Sequence, residues 1–216
     1  GITNSARGEC KIYSMSEHSE IEVRLCKSIN PYLLPGLFTE IASSGKPIND
    51  LPEMTKGSYP VDGGNLLLSH EERDTLVENA PDSKSFIRRF VGSSESIYAL
   101  LRYCIWIEDD KLSLAQSIPQ IAERIEKVRD MRLASKKIGT QNKAKTPHRF
   151  DEIRQYGSES TAIVLPVHSS ANREYLPVSL HAHPTIIYGS AFAVFDSSLW
   201  AFSLICSKLH IVWIAT

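Results

Sequence analysis

The side chains of this sequence that could bind a polyanion are concentrated in residues 132–154. Seven of them are basic and two are acidic, so the segment carries a local charge of +5 in a chain whose net charge is −1. The basic residues are Arg132, Lys136, Lys137, Lys143, Lys145, Arg149 and Arg154. Lysine and arginine neutralise DNA phosphates, while amides such as those of Gln141 and Asn142 can hydrogen-bond to base edges. The composition suits a reader of duplex DNA, although charge alone favours a solvated helix end followed by a polar loop.

Two other clusters have side chains that could hold a metal ion. His181 and His183 are two residues apart, which suits a site on a strand, but no third ligand stands at a recognisable spacing. Glu108, Asp109 and Asp110 have the composition of a metal-dependent nuclease centre, and also that of an ordinary polar turn after a strand. Glycine-rich phosphate-binding motifs and nucleophile motifs are absent from the sequence. We therefore expect neither a metal site nor a catalytic centre, with a small metal-dependent nuclease as an alternative.

The cysteines and the apolar stretches indicate the class of protein. The four cysteines follow no metal-binding or C-x-x-C spacing, which predicts reduced, mostly buried thiols in a cytoplasmic protein. They are Cys10, Cys26, Cys104 and Cys206. The most apolar stretch, residues 199–216, is interrupted by serines, a lysine and a histidine, so a buried helix is expected there rather than a membrane span. It stops without a capping residue, and we expect the domain to be truncated at this end.

The elements that must position these residues form an α+β pattern without a βαβ repeat. Residues 10–15 and 20–27 alternate as paired strands do. Ser69 and Glu72 form a capping-box signature for a helix over residues 71–79. A second short helix, capped by Asp82, is predicted to contain Phe86, Ile87 and Phe90, and a buried strand is predicted over residues 98–107.

Pro119 begins the clearest helix of the chain, which has apolar residues on one face and is predicted to end near residue 135. Residues 140–147 then lack periodicity and predict a loop. Further strands are expected over residues 161–168, 174–180, 185–188 and 191–195, and a last buried helix from about residue 197. The basic segment would thus follow the end of a long helix.

Several strings occur in the order found in one known family. They are Ile29-Asn-Pro-Tyr-Leu33, Asp50-Leu-Pro-Glu-Met54, Pro60-Val-Asp-Gly-Gly-Asn-Leu66, Phe90-Val-Gly-Ser-Ser-Glu95, Arg132-Leu-Ala-Ser135 and Ser207-Lys-Leu-His-Ile-Val-Trp213. From residue 29 onward the chain resembles the segment that follows the methyltransferase domain in MmeI-like DNA methyltransferases. That segment is the target recognition domain of the family.

The resemblance implies a division of labour within a longer protein. Members of this family transfer a methyl group from S-adenosylmethionine to the N6 of adenine in double-stranded DNA. Residues 1–28 would be the last strands of the methyltransferase domain, and residues 29–216 a target recognition domain. Asn30-Pro31-Tyr32 lacks the second proline of the family's catalytic motif and is assigned a structural role. The chain itself would be non-catalytic, with the cofactor held by the missing methyltransferase domain and no membrane contact.

The resemblance also raises the weight of the basic segment as a DNA-binding site. We expect the lysines to neutralise phosphates, while Gln141 and Asn142 would face adenine edges. The predicted DNA-binding residues are Lys136, Lys137, Gln141, Asn142, Lys143 and Lys145, followed by Arg149, Arg154 and Arg173, each of which could equally be a structural salt-bridge partner. A protein-interaction module with a merely solvated basic loop remains a third alternative.

Overall fold

The computed structural model of the protein describes residues 10–15, 20–30, 33–36, 45–46, 51–154, 161–170 and 172–214. The chain divides into two compact units, residues 1–46 with residue 216, and residues 47–215. Helices and several small sheets are mixed within the described ranges, which confirms the predicted α+β class. The predicted boundary between a methyltransferase remnant (residues 1–28) and a target recognition domain (residues 29–216) is a separate matter from these two units, and it stays a prediction.

The first unit contains a two-stranded antiparallel sheet. Strand β1 (Cys10–Met15) pairs with strand β2 (Ile21–Cys26), with Tyr13 opposite Val23. The two strands confirm the pair predicted from alternation. Five large apolar side chains share one face of the sheet with Lys11, and all five are more than half exposed; they are Tyr13, Met15, Ile21, Val23 and Leu25.

The second unit contains eight strands within its described residues, arranged in two four-stranded sheets. They are β3 (Met54–Lys56), β4 (Leu67–Leu68), β5 (Ile87–Val91), β6 (Tyr103–Ile105), β7 (Thr161–Pro166), β8 (Ser179–Ala182), β9 (Ile186–Ile187) and β10 (Ala191–Phe195). One sheet has the order β3-β10-β7-β8 and is antiparallel throughout. The other has the order β4-β6-β5-β9, in which β5 and β9 are parallel. Because β9 is followed closely by β10, residues 187–191 join the two sheets.

Helices cover these sheets and supply the connections. They are α1 (His70–Asn79), α2 (Ser93–Tyr98), α3 (Leu112–Gln116), α4 (Pro119–Leu133), α5 (Ile138–Asn142), α6 (Leu199–Ile205) and α7 (Lys208–Ile214). Short 3-10 segments occur at Pro81–Phe86, Asp109–Lys111 and Lys143–Lys145. Among the described residues, no helix is both long and apolar enough to cross a membrane.

The capping box at Ser69 confirms the helix predicted after it. The Ser69 hydroxyl accepts a hydrogen bond from the Glu72 N–H at 3.1 Å, and the Glu72 carboxylate accepts one from the Ser69 N–H at 2.9 Å. These reciprocal bonds satisfy N–H groups that the first turn of α1 leaves without helical partners. They also lower the pKa of Glu72, mainly through the Ser69 N–H.

The helix predicted around Phe86, Ile87 and Phe90 is wrong, because the chain forms strand β5 there. Asp82 lies within the preceding 3-10 turn and does not cap a helix. Consecutive residues Phe90 and Val91 are both fully buried, as in a strand that is covered on both faces. A short apolar run of this kind cannot be distinguished from a buried helix by its periodicity.

Two predicted strands are real but wrongly bounded. The strand predicted over residues 98–107 is reduced to Tyr103–Ile105, because Tyr98 ends α2 and Ala99 takes a left-handed conformation with φ of 54°. The strand predicted over residues 174–180 begins only at Ser179 and continues to Ala182. In both cases aromatic and branched residues outside the sheet imitate a strand pattern.

The helical core is organised by α4, which confirms the prediction from its apolar face. Ile121, Ile125 and Val128 are fully buried against the β4-β6-β5-β9 sheet, where Phe86 and Phe90 belong to the same cluster. Deleting large side chains from such a core costs about 2–5 kcal/mol each. Helix α4 is therefore packed against this sheet along its apolar face.

The loop predicted over residues 140–147 is wrong, because residues 138–142 form helix α5 and residues 143–145 a 3-10 turn.

The prediction of one last buried helix from about residue 197 is also wrong in two respects. The helix is divided into α6 and α7, and it is not buried on all sides. Ala201 packs under the β3-β10-β7-β8 sheet, whereas the large apolar side chains of the other face are more than half exposed, including Leu199, Trp200, Leu209 and Trp213.

Gly57 lies where two backbone segments approach closely, and we predict that it does not tolerate a side chain. A Cβ at this position would lie 2.4 Å from the carbonyl carbon and oxygen of Tyr188. Gly57→Ala should lower the free energy of unfolding in urea by roughly 3 kcal/mol, because backbone atoms would have to move. Gly139→Ala is the matched control, since nothing lies within 4 Å of its Cβ position and it sits in α5. An equal loss in both variants would contradict the prediction.

Candidate nucleic-acid interface

The predicted DNA-binding residues follow the end of α4 and lie mostly at the surface. Lys136 and Lys137 precede α5, Gln141 and Asn142 lie within it, and the 3-10 turn carries Lys143 and Lys145. All six side chains are exposed. The structure therefore places four of these six residues on α5 and the 3-10 turn that follows it, and the other two directly before α5.

The segment that carries these residues is fixed from beneath by Arg132, at the last turn of α4. Arg132 is fully buried, with an exposed fraction of zero. Its guanidinium donates five hydrogen bonds to main-chain carbonyl oxygens, each between 2.7 and 3.0 Å long. The acceptors are the carbonyls of Pro60, Val61, Lys143, Thr146 and Arg149. Since a guanidinium has five N–H groups, every donor of Arg132 is satisfied.

Burial disfavours the charge of Arg132, and two carboxylates compensate for it in part. Desolvation lowers the pKa of the guanidinium, while the nearby charges of Asp151 and Asp62 act in the opposite direction. Asp62 is itself buried and accepts hydrogen bonds from the N–H groups of Gly64 and Leu66, at 3.1 and 2.5 Å. The turn after residue 61 is thereby closed around the carboxylate.

That turn contains an unfavourable backbone conformation next to the Arg132 contact. Val61 has a φ of 44°, which is costly for a β-branched residue, by about 1–3 kcal/mol. Gly63 and Gly64 also have positive φ, 62° and 86°, but glycine adopts such values readily. The hydrogen bonds from Arg132 to the carbonyls of Pro60 and Val61 help to hold the strained residue in place.

The lysines of the segment differ in whether they have a partner. Lys143 donates to the Asp151 carbonyl at 3.1 Å, with the Asp151 carboxylate 3.8 Å away. Lys136, Lys137 and Lys145 make no ion pair with another described residue. These three ammonium groups are thus available to an external anion.

The two amides of the predicted base-reading pair also differ. Gln141 uses its side-chain N–H to hold the chain, donating to the Ser135 carbonyl at 2.8 Å. Asn142 is exposed, with no hydrogen bond from its side chain to another described residue. Of the pair, Asn142 is the side chain that can turn toward an external partner without giving up a contact within the described chain.

The arginines predicted in second place have different surroundings. Arg149 forms a bidentate ion pair with Asp109, whose carboxylate also lies 2.9 Å from Nε2 of the buried His148. Arg154 pairs with Glu152 at 2.6 Å. Arg173 is half-buried and lies far along the chain, outside the segment. Arg149 and Arg154 therefore have the structural partners that the sequence analysis allowed for.

Two of the three acidic residues of the nuclease alternative form ion pairs with basic residues. Glu108 pairs with Lys111, and Asp109 with Arg149. In the part of the chain that the structure describes, no three histidine, cysteine or acidic side chains come together as a metal site. No observation favours the nuclease interpretation.

Among the described residues, neither the two histidines of strand β8 and the turn after it nor the cysteines belong to a group that could hold a metal ion. Nε2 of His181 lies 2.9 Å from the Ser179 hydroxyl, and burial together with the charge of Arg89 lowers the pKa of this histidine. All four cysteines are free thiols, of which Cys104 is buried and the others are half-buried. Burial raises the pKa of the Cys104 thiol far above its ordinary value.

Comparison with known proteins identifies the family. Residues 37–216 match the family described as "MmeI, target recognition domain". The chain belongs to this family. DNA methyltransferase A of Bacillus subtilis (strain 168) is 33% identical over 191 residues, which make up 88% of this chain and 22% of that protein.

A solved structure supports the same assignment. It is described as the structure of the Type IIL restriction-modification enzyme MmeI in complex with DNA, and it matches with a TM-score of 0.82 and 31% identity. The match covers 94% of this chain and 27% of that chain. This chain thus spans about a quarter of the length of the two relatives. The resemblance and the α+β fold class predicted from the sequence are confirmed.

The role of Arg132 in this MmeI-type recognition domain was missed by sequence reasoning. Arg132 was counted among the surface cations because its charge matched that of its neighbours. Its spacing contains the missing signal, since Ile125, Val128 and Arg132 follow each other at helical intervals on one face of α4. A charged residue in register with the core face of a helix is a candidate for a buried, fully hydrogen-bonded group.

Asp109 is predicted to stabilise this recognition domain in a pH-dependent way. Hydrogen bonds from His148 and then Arg149 hold the pKa of the Asp109 carboxyl below its ordinary value of 3.8. A carboxyl with a lowered pKa contributes stability that is complete above its unfolded-state pKa and is lost as the pH falls through its folded-state pKa. Asp109→Asn should therefore reduce the free energy of unfolding at neutral pH, and the difference from wild type should shrink below about pH 4.

The measurement is urea unfolding of both proteins over a pH series. Asp110→Asn is the control, because Asp110 makes no ion pair with another described residue. A wild-type advantage over Asp109→Asn that stays constant to the lowest pH would show that the carboxylate charge is not the cause.

Proposed function

We propose that this chain reads the target sequence on double-stranded DNA for an S-adenosylmethionine-dependent adenine-N6 methyltransferase, and that it has no catalytic centre of its own. The observation that carries the proposal is membership of the MmeI target recognition domain family over residues 37–216. The names of the relatives agree with it, one being a DNA methyltransferase and the other an enzyme solved in complex with DNA. The local chemistry agrees as well, since an exposed group of lysines without ion-pair partners among the described residues lies on a segment that Arg132 binds through main-chain carbonyls.

The exposed residues of the segment suit different parts of a DNA duplex. Lys136, Lys137 and Lys145 are free to neutralise phosphates, which fixes the position of a protein on DNA without reading its sequence. Asn142 can offer a donor and an acceptor to an adenine edge, a contact that discriminates between bases by about 1–3 kcal/mol. Lys143, Arg149 and Arg154 would first have to leave their present partners. We rank them, with Gln141 and Arg173, behind the four free side chains.

The methyl transfer itself belongs to another part of the parent protein in this proposal. The sequence contains neither a glycine-rich cofactor motif nor the family's Asn-Pro-Pro-Tyr/Phe motif. We therefore assign S-adenosylmethionine to the methyltransferase domain. That domain must turn the target adenine out of the base stack to reach its N6. The recognition domain would hold the duplex so that one adenine in one short sequence is presented.

We also propose that residues 1–28 are the last strands of that methyltransferase domain. The supporting observation is the apolar face of the β1–β2 sheet. Its five large side chains are exposed, although an isolated two-stranded sheet is at best marginally stable in water. A larger sheet or helix packed on this face would remove the exposure.

Removing two lysine charges from the segment should weaken DNA binding and its dependence on salt. Lys136→Ala/Lys137→Ala in the full-length parent should reduce the slope of log affinity against log salt concentration by about 2, because each lost phosphate contact releases roughly one counterion fewer. The measurement is fluorescence anisotropy with a labelled target duplex at several salt concentrations.

The control removes the same charge elsewhere in the chain. Lys56 and Lys84 are exposed, lie outside the segment and make no ion pair with another described residue, so Lys56→Ala/Lys84→Ala should leave the slope close to that of wild type. Equal slopes in wild type and the Lys136/Lys137 variant would remove these lysines from the interface. Failure of the wild-type parent to bind any duplex would instead favour the protein-interaction module.

The activity of the parent is tested by modified-base sequencing of a plasmid that carries its gene in a host without DNA methylation. We expect N6-methyladenine at one short motif. Exchanging residues 37–216 for the corresponding segment of a relative should change the motif while methylation continues. Methylation that continues at the original motif after the exchange would place sequence recognition outside this chain.

A further inference from the structure

Arg132 itself cannot touch DNA, because its side chain is completely withdrawn from the surface. We propose that Arg132 is the positioning residue of the DNA-reading segment, which it holds in one conformation through main-chain contacts. This inference rests on the proposed function. It states that the positions of the exposed lysines depend on the hydrogen bonds of this buried arginine.

The contacts of Arg132 join two stretches of chain that are distant in sequence. Two of its hydrogen bonds reach the turn at Pro60 and Val61, and three reach the carbonyls of residues 143, 146 and 149. Both stretches are attached at the same planar group at the end of α4. The segment therefore cannot move relative to the helix without breaking several bonds at once.

The inward direction of these carbonyls determines what faces outward. The carbonyls of Lys143 and Thr146 both accept from Nη1 of Arg132, at 3.0 Å each. Between them, Ala144 is buried and Lys145 is exposed. The bend that the guanidinium imposes on this turn thus buries the small side chain and presents the lysine to solvent.

A lysine at position 132 cannot make the five hydrogen bonds of Arg132. An ammonium group has three donors and no plane, whereas the guanidinium offers five donors in a fixed fork. Arg132→Lys keeps the charge and leaves at least two of the five carbonyls without a donor. The variant therefore separates the effect of the charge from the effect of the geometry.

The experiment compares Arg132→Lys with wild type in the full-length parent, at a temperature where both are folded. KM for target DNA should rise at least tenfold while kcat at saturating DNA stays within about twofold, because the catalytic centre lies elsewhere. The preference for target over non-target duplex should fall as well, since reading a sequence needs a fixed register and non-specific attraction does not. Hydrogen exchange should become faster at residues 136–149.

The matched control is Ile121→Ala, a fully buried position on α4 about three turns from Arg132. It should lower the melting temperature of the parent and leave both KM and the sequence preference unchanged. If Arg132→Lys and Ile121→Ala have the same KM and preference at matched melting temperature, Arg132 serves stability alone and the inference is overturned.

A second variant keeps the inference testable if Arg132→Lys does not fold. Ala144→Gly loosens the turn between two of the anchored carbonyls and leaves Arg132 in place. It should raise KM and lower the sequence preference in the same direction, and an unchanged KM and preference would overturn the inference. A wild-type parent without any preference for a DNA sequence would overturn the proposed function, and this inference with it.

Discussion

A guanidinium withdrawn from water needs an acceptor for each of its five N–H groups, and this requirement organises the second unit. Arg132 meets it with carbonyls alone, drawn from the turn at residues 60–61 and from residues 143–149. Desolvating such a cation costs several kcal/mol, and the cost is recovered only when every donor is paired. The hydrogen bonds of Arg132 consequently connect the buried face of α4 to the segment that carries the exposed lysines.

The hydrogen bonds of Arg132 also explain why Val61, a β-branched residue, can adopt a left-handed conformation. A strained residue persists when its surroundings determine its conformation from several sides. Here Arg132 holds the carbonyl of Val61, and the buried carboxylate of Asp62 closes the turn that follows. The turn and the basic segment are adjacent in space although about eighty residues separate them, because both depend on the end of one helix.

The sequence predicts the parts of the fold that depend on local signals. The capping box at Ser69 and the apolar face of α4 are visible as spacing, and both helices form. The strand at Ile87 was missed because its partners, β6 and β9, come later in the chain, and pairing with them decides the conformation. The basic segment was predicted as the site from its charge and the family resemblance, but the burial of Arg132 depends in part on contacts with residues 60–61. Those contacts leave no local trace except the helical spacing from Ile125 and Val128.

Arg132 recognises main-chain oxygen atoms, and every residue type has a carbonyl. The anchor is therefore indifferent to which side chains stand at the exposed positions between residues 136 and 149. In the function proposed above, the contacts that maintain the fold are thus separate from the side chains that read DNA, because an outward-facing side chain can be replaced while every hydrogen bond of Arg132 remains.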